Sequence, residues 1–192
     1  GVGRARDKAH SEPPDHAARR PDGEAPSGGD NIVPIRPVDS TLLPPRIATA
    51  RLVLRPLSEN DAADVFAYAA DTEMTKYLLW DAHQSIDDSL VFLRHVAGRY
   101  ALGEPYDWGI EWNGRIIGTI GLFDRKIGAE RAEVGFALGL AYWRQGFMRE
   151  ALTGILDHAF CDLALRRVVA RTHLENKGSR ALLLAAGFTQ EG

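Results

Sequence analysis

The stretch AYWRQGFMREAL, Ala141–Leu152, places one glycine, Gly146, among bulky and basic residues. The segment before it has the composition of a strand, and the residues after it have the spacing of a helix. At a strand-to-helix turn the first backbone N–H groups of the helix have no intrahelical acceptor. The helix dipole, together with Arg144 and Arg149, adds positive charge. The turn is therefore predicted to bind an anion such as a phosphate.

Two nucleotide-binding motifs do not fit this turn. It lacks the Gly-Lys-Ser/Thr ending of a P-loop, and its single glycine does not match G-x-G-x-x-G. Gly146 has no Cβ, which favours close approach of a phosphate to the main chain. Taken alone, the stretch is equally well explained as an ordinary strand-to-helix turn with exposed arginines.

The residues before the turn predict an antiparallel meander of three strands. Trp108, Ile110 and Trp112 alternate with smaller or polar residues, and Asn113-Gly114 is a two-residue hairpin signal. RIIGTIGL supplies the returning strand, and AEVGFAL, after a polar loop, supplies the third.

Further upstream, the sequence predicts a short strand and two helices. Leu52 to Leu54 form an apolar run that a proline ends. Ser58 with Asp61, and Ser85 with Asp88, have the spacing of helix-starting capping boxes. The first helix has its apolar residues on one face up to Ala69. The second helix follows the start signal at Ser85, is carried by residues 91–96 and is expected to end near residue 98.

Downstream of the turn, helix and strand alternate. A helix is predicted over Phe147–Phe160, a strand over Arg167–Thr172, and a helix over Ser179–Ala186 that a glycine terminates. The whole pattern predicts an α+β fold with a mixed, mostly antiparallel sheet flanked by helices.

Composition predicts a disordered N-terminal tail over residues 1–46 and a folded domain over residues 47–192. The tail holds eight of the ten prolines and few large apolar residues. A net charge of -3 favours neither nucleic acid nor an anionic membrane as partner, and the single cysteine cannot form an intrachain disulfide. Without a membrane-spanning run or a secretion signal, a cytoplasmic protein is expected.

The meander, the turn WRQGFMREAL, the later ENKGSRALLLAAGF and the opening ARLVLRPL together resemble the Gcn5-related N-acetyltransferase (GNAT) superfamily. The resemblance is greatest to its branch of ribosomal-protein alanine and serine N-acetyltransferases. In that family the pyrophosphate of coenzyme A rests on a turn of the form R/Q-x-x-G-x-G/A, which aligns with Trp143 to Met148. Gly146 matches this pattern, whereas Trp143 and Met148 depart from it.

The resemblance implies acetyl-CoA as acyl donor and a set of residues that contact it. Asn176 and Ser179 match positions near the pantetheine arm and thiol, and helix capping is the alternative role for both. The implied cofactor contacts are Phe136, Ala137, Leu138, Arg144, Gln145, Gly146, Phe147, Met148, Arg149, Asn176 and Ser179.

The resemblance also implies catalytic roles. Glu133, thirteen residues before Gly146, matches a catalytic glutamate of some members and is predicted to be the general base; the alternative is a strand residue paired with Arg131 or Arg125. Where many members have a tyrosine that protonates the thiolate, this chain has Leu183. Ser179 or water is left for that role.

Several other side chains are candidates for a functional role. Cys161 is predicted to pack in its apolar run rather than act as a nucleophile. His158 and His173 have no second ligand at a metal spacing, so no metal is expected. Tyr77, Trp80 and His83 either line an acceptor pocket or pack in the core.

The predicted activity is direct transfer of acetyl to a primary amine, either a ribosomal-protein-like N-terminus or a small molecule. The alternative is a non-catalytic acyl-CoA-binding module or a truncated remnant, because family members continue with two further strands after the last helix. A sheet without those strands would have an open edge, which favours pairing with another chain, such as a second copy.

Overall fold

The structure, a computed structural model, describes residues 43–103, 107–124 and 130–191. Of the tail predicted over residues 1–46, residues 1–42 lie outside these ranges, as does Arg125. Leu43 to Arg46 belong to the described part, where Trp108 Nε1 donates to the Pro45 carbonyl oxygen at 2.8 Å.

Six strands form one sheet in the order β1-β2-β3-β4-β5-β6. The strands are β1 Ile47–Ala48, β2 Val53–Arg55, β3 Asp107–Trp112, β4 Arg115–Phe123, β5 Arg131–Leu138 and β6 Arg167–Val169. β1 to β5 are antiparallel neighbours, and β6 runs parallel to β5. The α+β prediction with a mixed, mostly antiparallel sheet is confirmed.

Helices cover both faces of the sheet. They are α1 Ala62–Ala69, α2 Thr72–Thr75, α3 Ile86–Ala101, α4 Phe147–Asp157 and α5 Lys177–Ala185. One core cluster joins the sheet to α4 and α5 and includes the fully buried Trp108 and Leu152. A second cluster joins the other face to α1 and α3 and includes Val65 and Val96.

Local signals set several boundaries as the sequence predicts. Ser58 with Asp61, and Ser85 with Asp88, both form complete capping boxes. The hairpin residues Asn113 and Gly114 have φ angles of 49° and 76°, as a type I′ turn between β3 and β4 requires.

Candidate active site

The sheet opens between β5 and β6, and this opening is the centre of the candidate site. The two strands pair over three residues only, ending at Glu133 opposite Val169. The strand predicted over Arg167–Thr172 is therefore shorter than expected, because the chain after Val169 diverges from β5. Within the described structure, the backbone of Val134 to Leu138 has a strand partner only on the β4 side. This free edge of β5 includes the predicted contacts Phe136, Ala137 and Leu138.

The chain at the end of the free edge turns sharply into α4. Arg144 and Gly146 both have left-handed backbones, with φ of 58° and 81°. The indole Nε1 of Trp143 donates to the Leu138 carbonyl oxygen at 2.6 Å, which ties the turn back to β5. Gln145 Nε2 donates to the Ala141 carbonyl oxygen at 2.7 Å. The turn thus has a defined conformation.

The N-terminus of α4 presents backbone donors at this turn. The N–H of Glu150 donates to the Gly146 carbonyl oxygen at 3.0 Å. The N–H groups of Phe147, Met148 and Arg149 precede it and have no intrahelical acceptor. Phe147 and Met148 have buried side chains, so both can offer an anion only their main chain.

Arg51, for which no sequence pattern predicts a role, lies against this turn. Its Nη1 donates to the Gln145 carbonyl oxygen at 3.1 Å, and its Nε pairs with Glu150 Oε2 at 2.7 Å. The partners are about 100 residues away along the chain, and no local signal in the sequence links them. A groove of about 790 Å³ begins at Arg51, Gly146 and Arg149 and runs along α4. Its far end is lined by Asp157 and Asp162, whereas the turn end has two arginines, Arg51 and Arg149, beside one carboxylate, Glu150, so the turn end suits an anion better.

Glu133 lies at the point where β5 and β6 separate. Its side chain is 21% exposed, and its Oε2 is 3.3 Å from Arg171 Nε. The sequence predicts Arg131 or Arg125 as alternative partners of Glu133, and Arg125 lies outside the described residues. The structure shows no pairing with Arg131; the partner is Arg171, on the chain that diverges from β5. The Glu133 carboxylate thus lies at the inner end of the opening, beside the long cationic side chain of Arg171.

Asn176 and Ser179 lie at the start of α5. Asn176 is the N-cap residue, and its Oδ1 accepts the Ser179 N–H at 3.0 Å. Helix capping is therefore one role of Asn176, whereas Ser179 lies inside the first turn. Leu183, further along α5, is buried in the core. The assignment of Asn176 and Ser179 to the cofactor stays a prediction.

The three residues weighed as an acceptor pocket divide between two roles. Tyr77 stacks on His173 with ring centroids 5.3 Å apart, which connects the segment between α2 and α3 with the chain after β6. His83 Nδ1 lies 2.9 Å from Ser89 Oγ, and burial lowers the pKa of His83 despite the nearby Asp88. His83 therefore packs between helices, while Tyr77 packs against His173. Trp80 is 39% exposed.

The prediction that Cys161 packs in the core is wrong, since its side chain is exposed. After α4 the helix widens into a π-helical turn over His158–Asp162, which turns His158 and Ala159 inward and Phe160 and Cys161 outward. Among residues 43–103, 107–124 and 130–191, no group of three His, Cys, Asp or Glu side chains is placed to hold a metal ion.

Comparison with known proteins assigns the chain to a family. The acetyltransferase (GNAT) domain model matches residues 51–189. An uncharacterized N-acetyltransferase of Bacillus subtilis (strain 168), YoaA, is 33% identical over 150 residues, covering 77% of this chain and 85% of the relative. The chain belongs to the GNAT acetyltransferase family and is an N-acetyltransferase.

Solved structures share the fold. One, provisionally named a ribosomal-protein-serine acetyltransferase, from Vibrio cholerae, has a TM-score of 0.70 at 25% identity, covering 77% of this chain and 84% of that chain. RimJ of Mycobacterium smegmatis, in complex with CoA-disulfide, has a TM-score of 0.70 at 24% identity and covers 78% of each chain. In the part of the chain that the structure describes, no helix is long and apolar enough to cross a membrane.

Proposed function

We propose that the chain transfers an acetyl group from acetyl-CoA directly to a primary amine in a ternary complex. The observation that carries this proposal is the opening between β5 and β6, which has the turn into α4 at one end and the Glu133 carboxylate at the other. That turn is the one predicted to bind an anion. A donor with phosphates at one end and a thioester at the other fits that arrangement. RimJ of M. smegmatis, which shares the fold, is in complex with CoA-disulfide.

Length supports this placement of the donor. From Glu133 to Leu138 the strand covers about 17 Å at roughly 3.3 Å per residue. The pantetheine arm has about twelve bonds between phosphate and sulfur, which is about 14 Å when extended, by analogy with about four residues of chain. With the pyrophosphate at the turn after Leu138, the thioester would lie near Glu133. The amides of the arm would then face the unpaired backbone of β5.

Glu133 is proposed as the general base. The amine nitrogen attacks the thioester carbonyl carbon, a C–N bond forms, the C–S bond breaks, and coenzyme A leaves as the thiolate. The proton lost by the amine goes to Glu133, directly or through water. The thiolate takes a proton from water or from Ser179 Oγ, because the buried Leu183 cannot supply one.

The proposed acceptor is an α-amino group, such as a protein N-terminus. An α-amine with pKa near 8 costs about 1 kcal/mol to deprotonate at pH 7, whereas a lysine near 10.4 costs about 4 to 5 kcal/mol. A single carboxylate is therefore a sufficient general base for an α-amine, whereas it is a weak base for a lysine amine. The fold shared with the V. cholerae protein, whose name specifies a ribosomal-protein acceptor, supports this proposal. A small-molecule amine is the competing outcome.

The test is Glu133→Gln, which keeps a hydrogen-bond acceptor for Arg171 but removes the proton acceptor. Turnover with an N-terminal peptide panel should fall by roughly 10² to 10⁴, while the calorimetric Kd for acetyl-CoA stays unchanged. The loss should shrink as the pH rises toward the pKa of the amine. Glu130→Gln is the matched control, because Glu130 also pairs with an arginine, Arg166, at 2.6 Å but lies just before β5, away from the free edge.

Three outcomes would contradict the assignment. Loss of cofactor affinity would make Glu133 a structural residue. An unchanged rate at every pH would mean that water or another group accepts the proton. Glu111 is not free for that role, because it is already paired with Arg55. Binding of acetyl-CoA by the wild type without turnover on any amine would favour the non-catalytic acyl-CoA-binding module, to which the buried Leu183 also points.

A further inference from the structure

Arg51 makes three contacts with the turn into α4, and no local pattern in the sequence predicts them. Its Nε pairs with Glu150 at 2.7 Å, its Nη1 donates to the Gln145 carbonyl oxygen at 3.1 Å, and its guanidinium lies 4.4 Å from the centroid of the Phe147 ring. These contacts cover both sides of the left-handed residue Gly146. Arg51 is not part of the turn, but its contacts stabilise the conformation of the turn.

The carboxylate that holds Arg51 is itself fixed. Glu150 Oε1 accepts from Thr49 Oγ1 and from the Arg51 backbone N–H, each at 2.6 Å. Partial burial acts to raise the pKa of Glu150, but the hydrogen bonds from Thr49 and Arg51 outweigh this effect and hold the pKa below its usual value. Glu150 is thus charged at neutral pH, and its charge balances one face of the guanidinium only.

One nitrogen of the guanidinium remains available. Within the described residues, Arg51 Nη2 has no hydrogen-bond acceptor, and the side chain is 44% exposed. Because the guanidinium is planar, the bonds made by Nε and Nη1 also fix the position of Nη2. That nitrogen lies 3.3 Å from the point where a Cβ on Gly146 would be. A donor with positive charge is therefore held beside the first N–H groups of α4.

We infer that Arg51 is a ligand of the donor's phosphates, brought to the turn from the β1–β2 connection, as well as a brace for the Gln145 carbonyl. This inference rests on the proposed function, since it needs a phosphate-bearing donor at the turn. Removal of Arg51 also leaves the Glu150 carboxylate facing the phosphates without its partner. The loss should therefore depend on both the guanidinium and Glu150.

The test compares two acyl donors that differ in their phosphates. Arg51→Met should weaken CoA binding, measured by calorimetry, by about ten- to a hundredfold, the range for a hydrogen bond to a charged group. The fall in kcat/KM should be at least tenfold larger with acetyl-CoA than with S-acetylpantetheine, which has no phosphates. The slope of log Kd against log salt concentration should also decrease. Adding Glu150→Gln to Arg51→Met should recover part of the affinity.

Arg94→Met is the matched control, because Arg94 also pairs with a glutamate, Glu59, at 3.0 Å but lies on α3. It should bind CoA as the wild type does. If Arg51→Met does not fold, Arg51→Lys replaces it, since a lysine cannot bond both Gln145 and Glu150 and also reach an anion. Equal losses with the two donors, or no loss, would overturn the inference while leaving the proposed function intact. Failure of the wild type to bind CoA would overturn both.

Discussion

Gly146 has φ of 81° and ψ of -1°, a left-handed conformation that costs an L-residue about 1 to 2 kcal/mol. A Cβ there would come within 3.3 Å of Arg51 Nη2, the end of a flexible side chain, so crowding adds little to that cost. Gly146→Ala is therefore expected to shift the unliganded turn out of its left-handed form. Because binding must restore that form, CoA affinity should fall by about five- to thirtyfold.

A series at this position separates backbone conformation from steric blocking. Asparagine visits the left-handed region readily, so Gly146→Asn should lose less affinity than Gly146→Ala, and the β-branched Gly146→Val should lose most. If a side chain simply blocked the phosphate, asparagine would lose at least as much as alanine. Calorimetric titration with CoA measures each Kd, and thermal unfolding checks that each variant folds.

The matched control is Gly98→Ala on α3, where an added Cβ meets nothing within 4 Å. It should leave CoA affinity unchanged and raise stability slightly, because alanine is the better helix former. Unchanged affinity throughout the Gly146 series would refute the reasoning, since the turn would then have only a structural role. A loss for asparagine equal to that for valine would refute the backbone explanation.

The remaining predictions concern stability. Removing residues 1–42 should leave Tm unchanged. A deletion that extends past Pro45 also removes the carbonyl group to which Trp108 donates, and it should lower Tm by about 3 to 8 °C. Equal Tm values for the two deletions would contradict this prediction. Arg55→Met leaves the Asp61 carboxylate, 9% exposed, without its cationic partner and should lower the free energy of unfolding by about 3 kcal/mol. Although burial acts to raise it, the bond from Arg55 holds the pKa of Asp61 below 3.8, so this stabilisation is present above pH 3.8 and lost as pH falls through the lowered pKa. Urea unfolding of both proteins should converge in acid, and a constant difference down to pH 2 would contradict it.

Local patterns in the sequence predicted the elements whose causes are local. The capping boxes at Ser58 and Ser85 start their helices where predicted, because the bonds involved lie within four residues. The Asn113-Gly114 hairpin follows from the left-handed tolerance of those two residues. The second helix runs to Ala101, past its expected end near residue 98, because Gly98 weakens a packed helix without ending it.

Contacts between distant segments could not be predicted in this way. The pairs of Arg51 with Glu150 and of Arg171 with Glu133 join elements that only the tertiary fold brings together. Cys161 was expected in the core because its neighbours are apolar, but the π-helical turn adds a residue per turn and rotates it outward. Composition does not predict such a change of helical period.

The two residues that depart from the family's phosphate-turn pattern both serve the protein's own packing. The indole of Trp143 donates to the Leu138 carbonyl, and the side chain of Met148, in the first turn of α4, is 8% exposed and packs in the core. Neither side chain is needed at a phosphate that binds main-chain N–H groups, since those donors are present whatever the side chain. The residue that the proposed phosphate site constrains is Gly146, which has the left-handed backbone. In a turn that binds through its main chain, side-chain identity at the flanking positions follows packing, and backbone conformation and nearby charge determine whether an anion can bind.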